Sequence, residues 1–136
     1  MIDDIDSKQT WAALLGDPAA HLVDVRTPGE WQHVGIPDLS EGGKRPILVS
    51  WQFPTGQVNP AFLAELAAAG ATADQRLYFL CRSGVRSLAA AEAAEAAGFA
   101  ACFNVADGFE GPPDGRGGRG RVAGWQADGL PWILPG

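Results

Sequence analysis

Arg76-Leu77-Tyr78-Phe79-Leu80-Cys81-Arg82-Ser83-Gly84-Val85-Arg86-Ser87, followed by the Ala-rich run from Leu88 to Ala97, is the stretch around which this chain is organised. Arg76 to Leu80 is an apolar run of strand length. Ser87 to Ala97 is rich in Ala and Glu, both strong helix formers, and Gly98 follows it where helices commonly end. The pattern therefore predicts a strand, a tight loop and a helix, with Cys81 at the turn. Such a turn gathers backbone N–H groups, and the helix adds its positive N-terminal end, so an anion is favoured there. Arg82 and Arg86 add two positive charges. A thiol in that setting is driven toward its reactive thiolate, which makes Cys81 a candidate nucleophile. The alternative is a buried strand-end cysteine acting as a small core residue, although core cysteines are not normally flanked by two arginines.

The rest of the chain sets the bounds. Its 136 residues, 46% of them hydrophobic, suffice for one compact domain with a real core, and no internal repeat is visible, so residues 1–136 are expected to form a single domain. A net charge of -6 disfavours nucleic acid or an anionic membrane as the main partner, since both need a basic face. The acidic start Met1-Ile2-Asp3-Asp4-Ile5-Asp6 has neither a basic n-region nor an apolar h-region, and no apolar run reaches the roughly 18 residues of a membrane span. A reducing cytoplasm is the expected location. No Cys-x-x-Cys occurs and the two histidines are isolated, so no metal site is expected. Cys102 is expected in the core. If both cysteines border parallel strands, Cys81 lies at a strand's end and Cys102 at the next strand's start, on the order of 13 Å apart and beyond disulfide reach.

Asp6 and Gln9 have capping-box spacing before an amphipathic helix with Trp11, Leu14 and Leu15 on one side, stopped at Gly16-Asp17-Pro18. His21 to Val25 and Pro46 to Ser50 are short apolar strands, and Trp51, Phe53 and Pro54 form an aromatic loop. Asn59-Pro60 predicts an N-cap and first helical residue for a helix through Phe62, Leu63 and Leu66 ending at Gly70. Ala101 to Val105 is the next strand. Alternation of strands and helices predicts an α/β fold with a central, mostly parallel sheet and helices on both faces.

The turn Cys81-Arg82-Ser83-Gly84-Val85-Arg86 resembles the active-site loop of the rhodanese sulfurtransferases, in which the cysteine carries sulfur as a persulfide. Asp24-Val25-Arg26 followed by Glu30 and Trp31 resembles another signature of that family, and implies ionic groups that brace the active-site loop. Trp125 with Gly129-Leu130-Pro131 resembles a third, in which Asp107-Gly108 stands where the family has a Gly pair. The resemblance runs from about Ala12 to Pro131 and implies a rhodanese-like fold, with no cofactor. Two departures stand out. Val34-Gly35-Ile36-Pro37 replaces the usual Gly-His-Ile-Pro, and His33 is not at the matching position. Phe109 to Ala123, with Arg116, Arg119 and Arg121, reads as a Gly/Arg-rich insertion, either a solvated loop or a basic flap over the site.

Related phosphatases and arsenate reductases have five residues between Cys and Arg; here there are four, a cradle suited to a single sulfur atom rather than a tetrahedral phosphate. The resemblance thus implies ping-pong sulfur transfer from a donor such as thiosulfate. Cys81 is the expected nucleophile, and Arg82, Ser83, Gly84, Val85 and Arg86 the expected substrate-binding loop. The acceptor is a thiol, cyanide in an assay, or a protein. Three readings stay open: this enzyme, a sulfur-carrier or partner-binding module with little turnover of free thiosulfate, and, more remotely, a phosphatase or arsenate reductase. Strands ending at Val25, Ser50, Leu80 and Val105 are expected to bring the Asp24/Arg26 loop, Trp51/Phe53, the Cys81 loop and the Arg-rich segment to one sheet edge.

Overall fold

A computed structural model describes residues 2–135. Its centre is a five-stranded sheet in the order β1-β6-β5-β2-β4, every neighbouring pair parallel. The strands are β1 (Asp3–Ile5), β2 (Ala20–Asp24), β4 (Ile47–Leu48), β5 (Arg76–Leu80) and β6 (Ala101–Val105). The helices are α1 (Ser7–Gly16), α2 (Pro28–His33), α3 (Phe62–Ala68) and α4 (Val85–Ala96). Two residues each of β3 (Ile36–Pro37) and β7 (Trp132–Ile133) pair antiparallel beside the main sheet. The α/β fold read from the sequence is therefore the one observed.

Strand pleat explains why the apolar runs are continuous rather than alternating. Leu77 and Phe79 point into one core with Val23, Val25, Phe62, Leu66 and the α4 residues Ala90, Ala91 and Ala94. Tyr78 and Leu80 point the other way, toward Leu14, Leu22, Phe109 and Trp125. Both faces are covered, so the successive residues Leu77 to Leu80 of β5 are all buried. The small side chains of α4 allow its backbone to lie close on the sheet. Trp11 closes the second face by meeting Trp125 edge to face, with ring centroids 5.8 Å apart.

The capping box at Asp6 and Gln9 is present as expected, with Gln9 N–H donating to Asp6 Oδ1 at 2.7 Å. Several boundaries differ from expectation. Leu15 is largely exposed, whereas Leu14 and Trp11 pack on the core as expected, with Ser7 and Thr10 also buried. Asn59 does not cap α3: its Oδ1 accepts from Ala61 N–H at 3.0 Å in a separate turn, and the helix begins at Phe62. The second strand is only Ile47–Leu48, because it lies at the sheet edge with β2 as its one neighbour. Strand β1 was not expected at all; it adds to β6 through its backbone while Asp3 and Asp4 remain exposed.

Register separates the two cysteines. Cys102 lies beside Leu77 at the start of β5, whereas Cys81 follows its end, and both are free thiols. Among the described residues, no helix is long and apolar enough to cross a membrane.

Candidate active site

Strand β5 is the middle strand of the five, so the residue following Leu80 emerges at the centre of the sheet's C-terminal edge, where ligands of parallel α/β sheets bind. That residue is Cys81. Its Sγ receives the backbone N–H of Gly84 at 3.1 Å and lies 3.2 Å from Ser87 Oγ. The turn is tight because Gly84 adopts a φ of 101°, which favours glycine, and a Cβ there would collide with the carbonyl oxygen of Ala106. Gly84 is the N-cap of α4, which begins at Val85, two residues earlier than the sequence indicates. Val85 and Arg86 thus belong to the helix rather than to an irregular loop, and Ser87 is not its cap but a buried residue inside its first turn.

The loop is held from below by the segment after β6. Phe109 N–H donates to Cys81 O at 2.8 Å, while Glu110 and Gly111 N–H both donate to Arg82 O, at 3.0 and 3.1 Å. Phe109 is fully buried, so it belongs to the core and not to a flexible insertion. The remainder of that segment is internally bonded: Asp114 Oδ1 accepts from the N–H groups of Arg116 and Gly118, and Arg119 Nη1 donates to Gly111 O at 2.7 Å. Arg116 and Arg121 are exposed.

Two ion pairs flank the loop. Arg86 makes a two-pronged pair with Glu30, Nη1 to Oε1 at 2.6 Å and Nη2 to Oε2 at 2.9 Å. Burial of Glu30 works against its charge, but the hydrogen bonds and charge of Arg86 outweigh this and bring its pKa down to about 2. The same pairing raises that of Arg86. The second pair, Asp24–Arg26, is fully buried at 2.8 Å; Arg26 Nη2 also donates to Gly35 O at 2.7 Å, and its guanidinium stacks 4.3 Å from the Phe109 ring. Gly35 occupies the place where the resemblance calls for histidine. Its φ is 114°, and a Cβ would sit 2.7 Å from the Trp132 ring and 2.8 Å from Ile133 O, so β7 fills the room a side chain needs. His33 is exposed at the last turn of α2.

A cleft of about 330 Å³ is lined by Thr27, Glu30, Gln52, Phe53, Pro54, Arg82 and Arg86. Arg82 is exposed and its guanidinium makes no hydrogen bond or ion pair among the described residues, so its charge is available to an anion, whereas that of Arg86 is already matched. Ser83 is half-buried and Val85 is the most exposed large apolar residue among the described residues, at 78%. Cys81 itself is only 1% exposed and does not line the cleft. Of the aromatic pair expected at this edge, Phe53 reaches the cleft, but Trp51 packs edge to face on Phe62 at 5.1 Å in the core. The Arg-rich segment meets the loop through its backbone, and none of its three arginines lines the cleft.

One site residue escaped the sequence reading. Asn104, buried in β6, donates through Nδ2 to Asp4 Oδ1 at 3.0 Å and Gly84 O at 3.2 Å, and its Oδ1 lies 2.6 Å from Ser87 Oγ. The available signal was an amide inside an otherwise apolar buried strand, since buried polar groups require partners.

A family model described as the STR4 middle domain matches residues 4–136. An uncharacterized protein of Rickettsia conorii is 37% identical over 132 residues, covering 96% of this chain and 97% of that protein. The chloroplastic protein THYLAKOID RHODANESE-LIKE of Oryza sativa subsp. indica is 31% identical over 132 residues, a match that takes up 25% of its length. Among solved structures, that of Rv0390 from M. tuberculosis is 46% identical and superposes over 98% of both chains with a TM-score of 0.88. The polysulfide-sulfur transferase of Wolinella succinogenes, at 21% identity, shares the fold over 97% of this chain and 78% of its own, with a TM-score of 0.68. By family match and by fold together, the chain belongs to the STR4 middle domain family and has a rhodanese-like architecture.

Proposed function

We propose that this domain transfers sulfane sulfur through a persulfide on Cys81. The observation that carries the reading is the placement of Cys81 Sγ at the N-terminal end of the twelve-residue helix α4, 3.1 Å from Gly84 N–H, beside an unpaired Arg82. In the first step the Cys81 thiolate attacks the outer sulfur of thiosulfate. The S–S bond to the sulfonate breaks and its electron pair leaves with sulfite, so the enzyme keeps a negatively charged persulfide and no redox partner is required. In the second step a thiolate or cyanide attacks the outer sulfur and returns Cys81 as thiolate. Gly84 N–H and the helix end stabilise the negative sulfur, Arg82 draws the anionic donor, and Ser83 and Val85 shape the rim of the loop. Arg86 serves chiefly by bracing the loop against Glu30. The exposed Arg116 and Arg121 extend the positive field toward an anionic donor or an acidic acceptor.

Burial of Cys81 favours a second reading, a sulfur carrier that gives up sulfur to a docked protein, because a free donor reaches the thiol only when the covering groups move aside. Intact mass after incubation with thiosulfate tests both. One added sulfur, absent from Cys81→Ser and removed by cyanide, supports the transfer reading; fast cyanide turnover selects the enzyme, and a persulfide without it selects the carrier. No added mass from thiosulfate or from a polysulfide overturns both.

A further inference from the structure

Three buried groups, Asn104, Ser87 and Cys81, form a chain that starts from the exposed Asp4 and ends on the sulfur. Its direction follows from donor counting. The Asp4 carboxylate and the Gly84 carbonyl only accept, so both hydrogens of Asn104 Nδ2 are committed to them and Oδ1 is left facing Ser87. Ser87 Oγ–H has one hydrogen and two acceptors within reach, Asn104 Oδ1 at 2.6 Å and Cys81 Sγ at 3.2 Å. With a neutral thiol, every group is satisfied: S–H donates to Ser87 Oγ and Ser87 donates to Asn104. With a thiolate, Sγ becomes an acceptor, and the Ser87 hydrogen can serve it only by abandoning the buried amide oxygen.

We infer that Ser87 is a two-position hydrogen-bond switch at Cys81 and that Asn104 is the positioning residue that sets its resting direction. Resting on the sulfur-transfer reading, the switch acts at sulfur release. A nucleophile attacks the outer sulfur, the bond from that sulfur to Sγ breaks with its electron pair remaining on Sγ, and the Ser87 hydrogen rotates from Asn104 to the departing thiolate. In the persulfide, Sγ is bonded on both sides and carries little charge, so the hydrogen returns to Asn104. Asn104 therefore opposes the bare thiolate and favours the loaded state, which holds sulfur until an acceptor arrives.

The test measures iodoacetamide alkylation of Cys81 at neutral pH, read by peptide mass, in variants confirmed as folded by circular dichroism. Asn104→Leu removes the competing acceptor and is expected to speed alkylation about tenfold, which corresponds to ~1.4 kcal/mol, the scale of one buried acceptor left without a donor. Ser87→Ala is expected to slow it by a similar factor, Ser87→Thr to restore it, and the double variant to match Ser87→Ala. A purely structural role predicts the opposite sign for Asn104→Leu, because losing the bond to Gly84 O loosens the turn that presents Gly84 N–H to the sulfur. Slower or unchanged alkylation in Asn104→Leu, or in Asn104→Val should the leucine variant not fold, overturns the inference, as does an unchanged rate in Ser87→Ala. Alkylation reports on the thiol whether or not the domain carries sulfur, so a failure of thiosulfate to load Cys81 refutes the transfer reading separately.

Discussion

Replacing Glu30 by Gln removes the negative partner of Arg86 while keeping the shape of the side chain. The wild-type carboxyl is held at about 2 in the folded protein against an ordinary value of 4.5. That difference corresponds to roughly 3 kcal/mol of linkage at neutral pH. The two side chains are 22% and 19% exposed, and Gln keeps part of the hydrogen bonding, so a loss of about 2 kcal/mol is expected. For a chain of this length that lowers the melting temperature by about 6–10 °C. A depressed folded-state value means that the stabilisation is complete above the unfolded value of 4.5 and disappears as pH falls toward 2. The gap between wild type and Glu30→Gln should therefore shrink to less than half of its neutral value by about pH 3. Urea unfolding at pH 7 and pH 3 measures it. Equal stability at pH 7, or a gap that persists undiminished at pH 3, would show that the pair contributes nothing through charge and that Glu30 acts only by packing.

Arg82→Ala should weaken the apparent affinity for thiosulfate about tenfold, the scale of one charge-assisted contact, and affect an uncharged sulfur donor less; equal losses in steady-state assays with both would place its role in the loop rather than on the anion. Gly35→His, which restores the residue the family resemblance calls for, should destabilise the fold by more than about 2 kcal/mol in a thermal melt, because its Cβ meets the Trp132 ring and Ile133 O at a positive φ. A melt unchanged from wild type would show that β7 moves aside freely. Burial, with the charge of Glu95, pushes the Cys102 thiol up to about 11. At pH 7–8, limited iodoacetamide should label Cys81 first, and Cys102→Ser should load sulfur like wild type; preferential labelling of Cys102 would refute this.

Much of the site was legible because its determinants are local. An apolar run of strand length, one cysteine, a glycine and an Ala-rich run encode β5, the turn and α4 within about twenty consecutive residues, and the capping box at Asp6 needs only its own helix. The uninterrupted apolar strands implied burial on two faces, hence a parallel sheet, and so put Cys81 at a C-terminal edge. What the linear order does not encode is which distant group completes each valence. Arg86 looks like a free anion contact until Glu30, 56 positions away, takes its guanidinium. Asn104 looks incidental until Asp4, 100 positions away, orients its amide. The start of α4 depends on the Ala106 backbone leaving room only for hydrogen at Gly84, and the absence of a side chain at Gly35 on Trp132 filling that space. β1 shows no hydrophobic pattern because an edge strand with exposed side chains is held by backbone bonds to its neighbour. Hydrophobic periodicity and caps act over a few residues and are written in sequence order, whereas hydrogen-bond partners and steric room are set by whichever segments the packed sheet brings together.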